Sequence, residues 1–186
     1  YIAGQVQDDI VLLDQRDGDL FADAGVVTFS AGWSFGFDVG MTFLEIHGPV
    51  PGLRESGVIT RAREFLMRLQ PNQIYRRTNW SMTIGRTLDV SVETLADRAH
   101  ARAALDSIDD ETFGRVLHLR VEVQHLIRLP ESGAICFLIR TYMLPLEKYG
   151  LKVHHDDVHE AWNRITKKHY VHKVAVFFAV GWPVNF

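Results

Sequence analysis

The chain has 186 residues, 47% hydrophobic and 23% charged, with 14 Gly and 6 Pro. That balance excludes disorder, collagen and simple repeats, and it predicts a single domain over 1–186, large enough to enclose a small ligand. A net charge of −3 offers no basic field for nucleic acid or an anionic membrane, and a lone cysteine, Cys136, excludes an internal disulfide or a Cys-held zinc or iron–sulfur site.

In chain order, Ile10–Leu13 reads as a short apolar strand, Asp17-Gly18 as a turn signal, and Leu20–Ala22 and Gly25–Phe29 continue as strand, so the chain opens with a hairpin or a small meander. Residues 33–46 predict one or two short helices. The segment His47-Gly48-Pro49-Val50-Pro51-Gly52 cannot be regular, because its prolines remove donors and restrict their neighbours. Residues 53–70 predict a helix with Val58, Ala62, Phe65, Leu66 and Leu69 on its apolar face, and Ile74–Met82 a strand. Residues 83–113 are polar and read as an insertion or flexible loop. Residues 115–142 carry the strongest β pattern, with Pro130-Glu131-Ser132-Gly133 as the turn and a buried central strand over Ala134–Ile139. A polar helix over 156–168 and an apolar segment over 174–180 close the chain. The apolar runs at 134–139 and 174–184 are too short to cross a bilayer, and no charged-then-apolar leader opens the sequence. A cytoplasmic protein with no membrane partner is expected. The start at Tyr1 suggests that an N-terminal part of a longer polypeptide is missing. The element order predicts an α+β fold, an antiparallel sheet with helices on one side.

Gly-x-Gly-x-x-Gly and phosphate-loop patterns are absent. Cys136, inside a buried strand, reads as inert core. His118, Arg120, Glu122 and Gln124 share one face of a strand; that face is either solvated or the wall of a polar pocket. A five-residue hairpin loop, 129–133, would set Glu122 opposite Arg140 and Arg120 opposite Tyr142, a pairing that one residue of slip destroys. His47, in its proline-flanked loop, is either a hydrogen-bonding residue or a candidate metal ligand held in a fixed direction. His155 and His159, spaced i, i+4 with His154, His169 and His172 nearby, are either a pair able to bind zinc, though no carboxylate fits the HExxH arrangement, or an exposed polar helix face. Trp33, Trp80, Trp162 and Trp182 are core residues or flank a planar group or a cation.

Two blocks resemble the alpha subunit of haem-dependent oxidative N-demethylase, the dimethylamine monooxygenase family. The first runs from Gln7-Asp8-Asp9 through Arg16-Asp17-Gly18 and Trp33 to Ile46-His47-Gly48-Pro49-Val50-Pro51-Gly52. The second runs from Arg120-Val121-Glu122-Val123-Gln124-His125-Leu126 through Arg128-Leu129-Pro130 and Ser132-Gly133-Ala134 to Arg140-Thr141-Tyr142. Asn79-Trp80-Ser81 fits between them. Val123 and His125 depart from the family's second Arg and its Thr, which bears on packing and on substrate identity.

The resemblance implies a PAS-like curved antiparallel sheet around a b-type haem. It implies O₂-dependent oxidation of a secondary methylamine to methylamine and formaldehyde. NADPH supplies electrons through partner subunits that carry FMN and an iron–sulfur cluster, and a tetrahydrofolate-binding subunit takes the formaldehyde. It makes His47 the candidate iron ligand, with His118 or His125 next in line. Arg120, Glu122 and Gln124 become candidate catalytic residues, Arg128, Arg140 and Tyr142 cofactor contacts, and Glu122, Trp33 and Trp80 substrate contacts. The competing expectations are a non-enzymatic haem-binding sensor and a haem-free small-ligand module.

Overall fold

The computed structural model describes residues 3–50, 52–94, 96, 109–149 and 181–182. A one-turn 3₁₀ helix, Ala3–Gln5, leads into β1 (Asp9–Arg16) and β2 (Asp19–Val26). Asp17 and Gly18 both take positive φ, 52° and 75°, which is the two-residue turn that suits a twisted hairpin. Two short helices follow as expected, α1 (Phe35–Asp38) and α2 (Phe43–Ile46). A capping box between Thr42 and Glu45 starts α2. Helix α3 (Val58–Met67) begins five residues later than the apolar spacing suggests, because Gly57 at its N-cap takes φ 66°.

The remaining elements are β3 (Ile74–Ile84), α4 (Asp110–Val116), β4 (Leu117–Arg128), β5 (Ile135–Pro145), a 3₁₀ turn (Leu146–Tyr149) and β6 (Gly181–Trp182). The fold is α+β. Five antiparallel strands form an open sheet in the order β2-β1-β5-β4-β3, and the two-residue β6 extends its β3 edge. Strand β5 is central, as its two apolar faces predict.

The main core lies on one face of the sheet. Val11, Leu13, Leu126 and Ile135 meet Phe43, Leu53, Ile59, Leu66 and Leu69 from the helical segments. We call this the inner face. Helix α4 is placed otherwise. Its Phe113 packs with Leu117, Leu119 and Met82, which alternate away from the inner set, so the helices are not all on one side. Residues 83–113 are described only in part. Residues 83–84 complete β3, Val90 exchanges backbone hydrogen bonds with Ser30 and Gly32 (3.0 and 2.9 Å), and residues 110–116 are helical. Residue 95, residues 97–108 and the expectations for 156–168, 174–180 and the five C-terminal histidines lie outside the described residues.

The β4–β5 turn corrects the expected register. Leu129 and Ala134 close it with backbone hydrogen bonding (2.8 Å), and Gly133 at φ 74° makes the four-residue loop 130–133 possible. Glu122 therefore pairs with Thr141 and Arg120 with Met143, while Arg140 and Tyr142 pair with Val123 and Val121. A one-residue slip moves a side chain to the opposite face. Arg140 and Tyr142 thus leave the Glu122 face.

Candidate functional site

Strand β4 inverts the usual alternation. Its polar residues His118, Arg120, Glu122, Gln124 and Arg128 are buried, while Leu119, Val121, Val123 and Ile127 on the other face are partly exposed. Arg120 has no solvent-accessible surface and Glu122 is 7% exposed. The solvated-face reading therefore fails, and these side chains form a buried polar half of the inner face, next to the apolar core.

Glu122 is the hub of that half. Its Oε1 accepts from Arg120 Nε (3.2 Å), and its Oε2 accepts from Gln124 Nε2 (3.0 Å) and Asn79 Nδ2 (3.2 Å). Register places Asn79 directly across from it on β3. Arg120 also donates to Thr141 Oγ1 (3.2 Å) and to the backbone carbonyls of Phe29 and Leu88. Those carbonyls belong to two segments bridged in parallel through Ala31 and Val90. Arg120 thus fastens a two-segment strap, residues 28–32 and 88–90, onto the sheet. On the strap side an open groove of about 430 Å³ includes Thr28, Ser30, Ser34, Asp89, Ser91 and Glu93 in its lining, with no cationic side chain among the described residues.

Asp9, at an inner position of β1, is 4% exposed. Its carboxylate accepts the backbone N–H groups of Thr28 (2.7 Å) and Phe29 (3.0 Å). Burial raises its pKa above the ordinary 3.8, against the pull of those hydrogen bonds and of the Arg120 charge. Arg77 shares the inner face, across from Gln124. Burial pulls its guanidinium down to about 10, against the attraction of Glu122, so it stays protonated at pH 7.

His47 is the C-cap of α2. Its Nδ1 donates to the Phe43 carbonyl (2.7 Å), and its ring lies 4.4 Å from the Phe43 ring. Burial and the Arg77 charge both lower its pKa below 6.5. The imidazole is therefore neutral at pH 7, with Nε2 carrying the lone pair. Among the described residues, no group of three His, Cys, Asp or Glu side chains is arranged to hold a metal ion.

The other predicted residues separate. Arg128 donates to the carbonyls of Leu66, Met67 and Leu69 at the end of α3 and to that of Gly133. It caps a helix and closes a turn, with most of its five donors spent. Arg140 pairs with Asp8 (2.7 Å) on the outer face. Tyr142 (49% exposed) and Trp80 (40%) share that face, so neither walls the Glu122 half. His125 also lies there, beside Val123, and its departure from the family pattern does not touch Glu122. Trp33 is half-buried against the main core and edge-on to Phe35. Cys136 is partly buried on the outer face, and burial raises its thiol pKa, which agrees with an inert residue.

Sequence reasoning missed Asp9, Arg77 and the role of Asn79. For Asp9 the signal was present: a carboxylate in step with Val11 and Leu13 on an alternating strand. Arg77 carried none, since arginines crowd that stretch.

Comparison with known proteins adds the following. A stretch of 47 residues, 25% of this chain, is 72% identical to the propane 2-monooxygenase hydroxylase component large subunit of Gordonia sp. (strain TY-5). The corresponding subunits of Rhodococcus jostii (strain RHA1) and Mycolicibacterium smegmatis are 68% identical over the same length. The match spans only 9% of the length of these relatives. The family described as haem-dependent oxidative N-demethylase, alpha subunit-like, matches residues 1–179. The chain belongs to that family.

Proposed function

We propose that this chain is the haem-bearing subunit of a monooxygenase that demethylates a secondary methylamine such as dimethylamine, releasing methylamine and formaldehyde. NADPH would supply the electrons through partner subunits carrying FMN and an iron–sulfur cluster, and a tetrahydrofolate-binding subunit would take the formaldehyde. The family supports this reading, as do the monooxygenase names of the partial relatives.

The chemistry at His47 fits an iron ligand. Its ring is neutral, and its Nδ1–H is anchored on a carbonyl, the arrangement that orients ligating histidines. The fit does not extend to Arg128, whose donors hold α3. Arg77, a cation within the electrostatic reach of His47, suits a cofactor carboxylate better. Haem bound there supplies oxygen activation and the oxidation of an N-methyl group. The five-stranded antiparallel sheet with α1–α3 between β2 and β3 is compatible with a PAS-like fold.

One observation carries the substrate assignment. The Oδ1 of Asn79 is buried and accepts no hydrogen bond, while Glu122 uses three of roughly four acceptor positions on its carboxylate. Two acceptors therefore stand side by side on the inner face. A secondary ammonium ion carries two N–H donors and a positive charge, and it satisfies both. Arg120 and Gln124 hold Glu122 in place as acceptor.

The test is a visible spectrum of the haem-reconstituted chain, then formaldehyde release from dimethylamine with the partner subunits present. A Soret band that dimethylamine perturbs is expected. Asn79→Ala is expected to raise KM for dimethylamine about tenfold, as loss of a hydrogen bond to a charged group does, and to affect trimethylamine less. Failure to take up haem, or formaldehyde release indifferent to both Asn79 and Glu122, would overturn the reading.

A further inference from the structure

The Gln7-Asp8-Asp9 motif has no part in the chemistry above. Asp9 nevertheless reaches into the polar half from β1, and its surroundings are specific. It accepts the backbone N–H of Thr28 and of Phe29. Arg120 donates to the carbonyl of that same Phe29 from β4. One residue of the strap is therefore gripped on its N–H by a carboxylate and on its C=O by a guanidinium. The guanidinium is the one whose Nε holds Glu122 (3.2 Å). We propose that Asp9 is a positioning residue: through Phe29 it holds the strap against Arg120, and so fixes where Glu122 presents its remaining acceptor site.

The grip is economical in chemical terms. Asp9, Arg120 and Glu122 are all at least nine-tenths buried, where an unmatched charge is expensive. The Asp9 carboxylate gains two backbone donors, and the Arg120 guanidinium gains two backbone carbonyls. Neither needs water, and each restrains the other by way of one peptide segment. The charged groups facing Asp9 are Arg120 and Glu122 of β4, while its neighbour Asp8 is paired with Arg140 on the other face. Asp9 makes no hydrogen bond to the acceptor pair or to His47; beyond its charge repulsion with Glu122, it reaches the site through the strap and Arg120. For its consequence the inference rests on the polar half being the amine site; the clamp itself is tested without haem or amine.

Native-state hydrogen exchange on the full chain reads it directly. In the wild-type chain the backbone N–H of Thr28 and Phe29 and the Nε–H of Arg120 are expected to exchange through one shared opening, with the same denaturant dependence. Asp9→Asn offers one acceptor to two donors. It is expected to speed exchange at Arg120 Nε–H about tenfold while leaving Arg128 Nε–H, buried at the end of α3, unchanged. A merely structural loss would speed both arginines together. Separate openings in the wild-type chain would overturn the clamp even if Asp9→Asn did not fold, and so would equal loosening of Arg120 and Arg128 in the variant. A clamp that holds in a chain that takes up no haem would leave Asp9 in its role and remove the oxygenase reading instead.

Discussion

The two halves of the inner face are built from the same strands and closed by different physics. In the apolar half, Val11, Leu13, Leu126 and Ile135 meet side chains of α2 and α3, and burial of apolar surface does the work. In the polar half, Asp9 and Arg120 hold the 28–32 and 88–90 strap by directed hydrogen bonds to its backbone, and Arg120, Asn79 and Gln124 hold Glu122 the same way. A buried ion pair is weak evidence for stability, because its desolvation cost offsets its attraction. A fold that keeps two carboxylates and a guanidinium where aliphatic residues would pack more cheaply has a use for a fixed polar geometry. The apolar half holds the sheet together; the polar half holds a shape.

The largest expected effect breaks the polar half. Arg120→Met strands Glu122, Asp9 and two carbonyls, and is expected to cost about 3–5 kcal/mol in urea unfolding. Ile135→Ala, at a fully buried apolar position, leaves a cavity and is expected to cost about 2–5 kcal/mol. Equal losses would show that both halves are structural to the same degree. They would still differ in kind: Glu122→Gln together with Arg120→Met should recover part of the polar loss, whereas nothing recovers the cavity. Arg128→Ala uncaps α3 and is expected to cost about 1–3 kcal/mol, with exchange quickening first at the C-terminal turn of that helix.

Acid separates the halves in another way. The folded pKa of Asp9 lies above 3.8, so its carboxyl contributes stability below that value, and the contribution is lost as pH rises through the folded pKa. The stability of the wild-type chain relative to Asp9→Asn should therefore grow on acidification. The folded pKa of His47 lies below 6.5. Its neutral ring contributes stability above 6.5 that is lost as pH falls through the folded pKa, so the difference from His47→Gln should shrink on acidification. Chemical denaturation of the three chains across the acid range checks both signs. The smallest effect belongs to the outer face, where Tyr142→Phe, at an exposed position, should stay within about 0.5 kcal/mol of wild type and leave amine binding untouched.

Local chemistry was largely legible in the amino-acid order. Asp17-Gly18 announced the first hairpin, the alternation of residues 117–128 announced β4, and the two apolar faces of residues 135–139 announced a central strand. His47 could be singled out because prolines surround it. The face of a side chain was less legible, because it depends on counting a loop. Assigning five residues instead of four to the β4–β5 turn was enough to put Arg140 and Tyr142 beside Glu122, when they stand behind it.

What the sequence determined by itself was the fold class, the strands and the presence of a polar stripe on β4, because these follow from local periodicity and turn chemistry. Only the tertiary structure decided that the stripe faces inward, that Arg120 and Arg128 spend their donors on backbone carbonyls, and that Asp9 reaches the same strap as Arg120. Those facts depend on which distant segments cover a face. The strap residues Phe29 and Leu88 recognise Arg120 through carbonyls that every residue carries, so no side-chain pattern could reveal them.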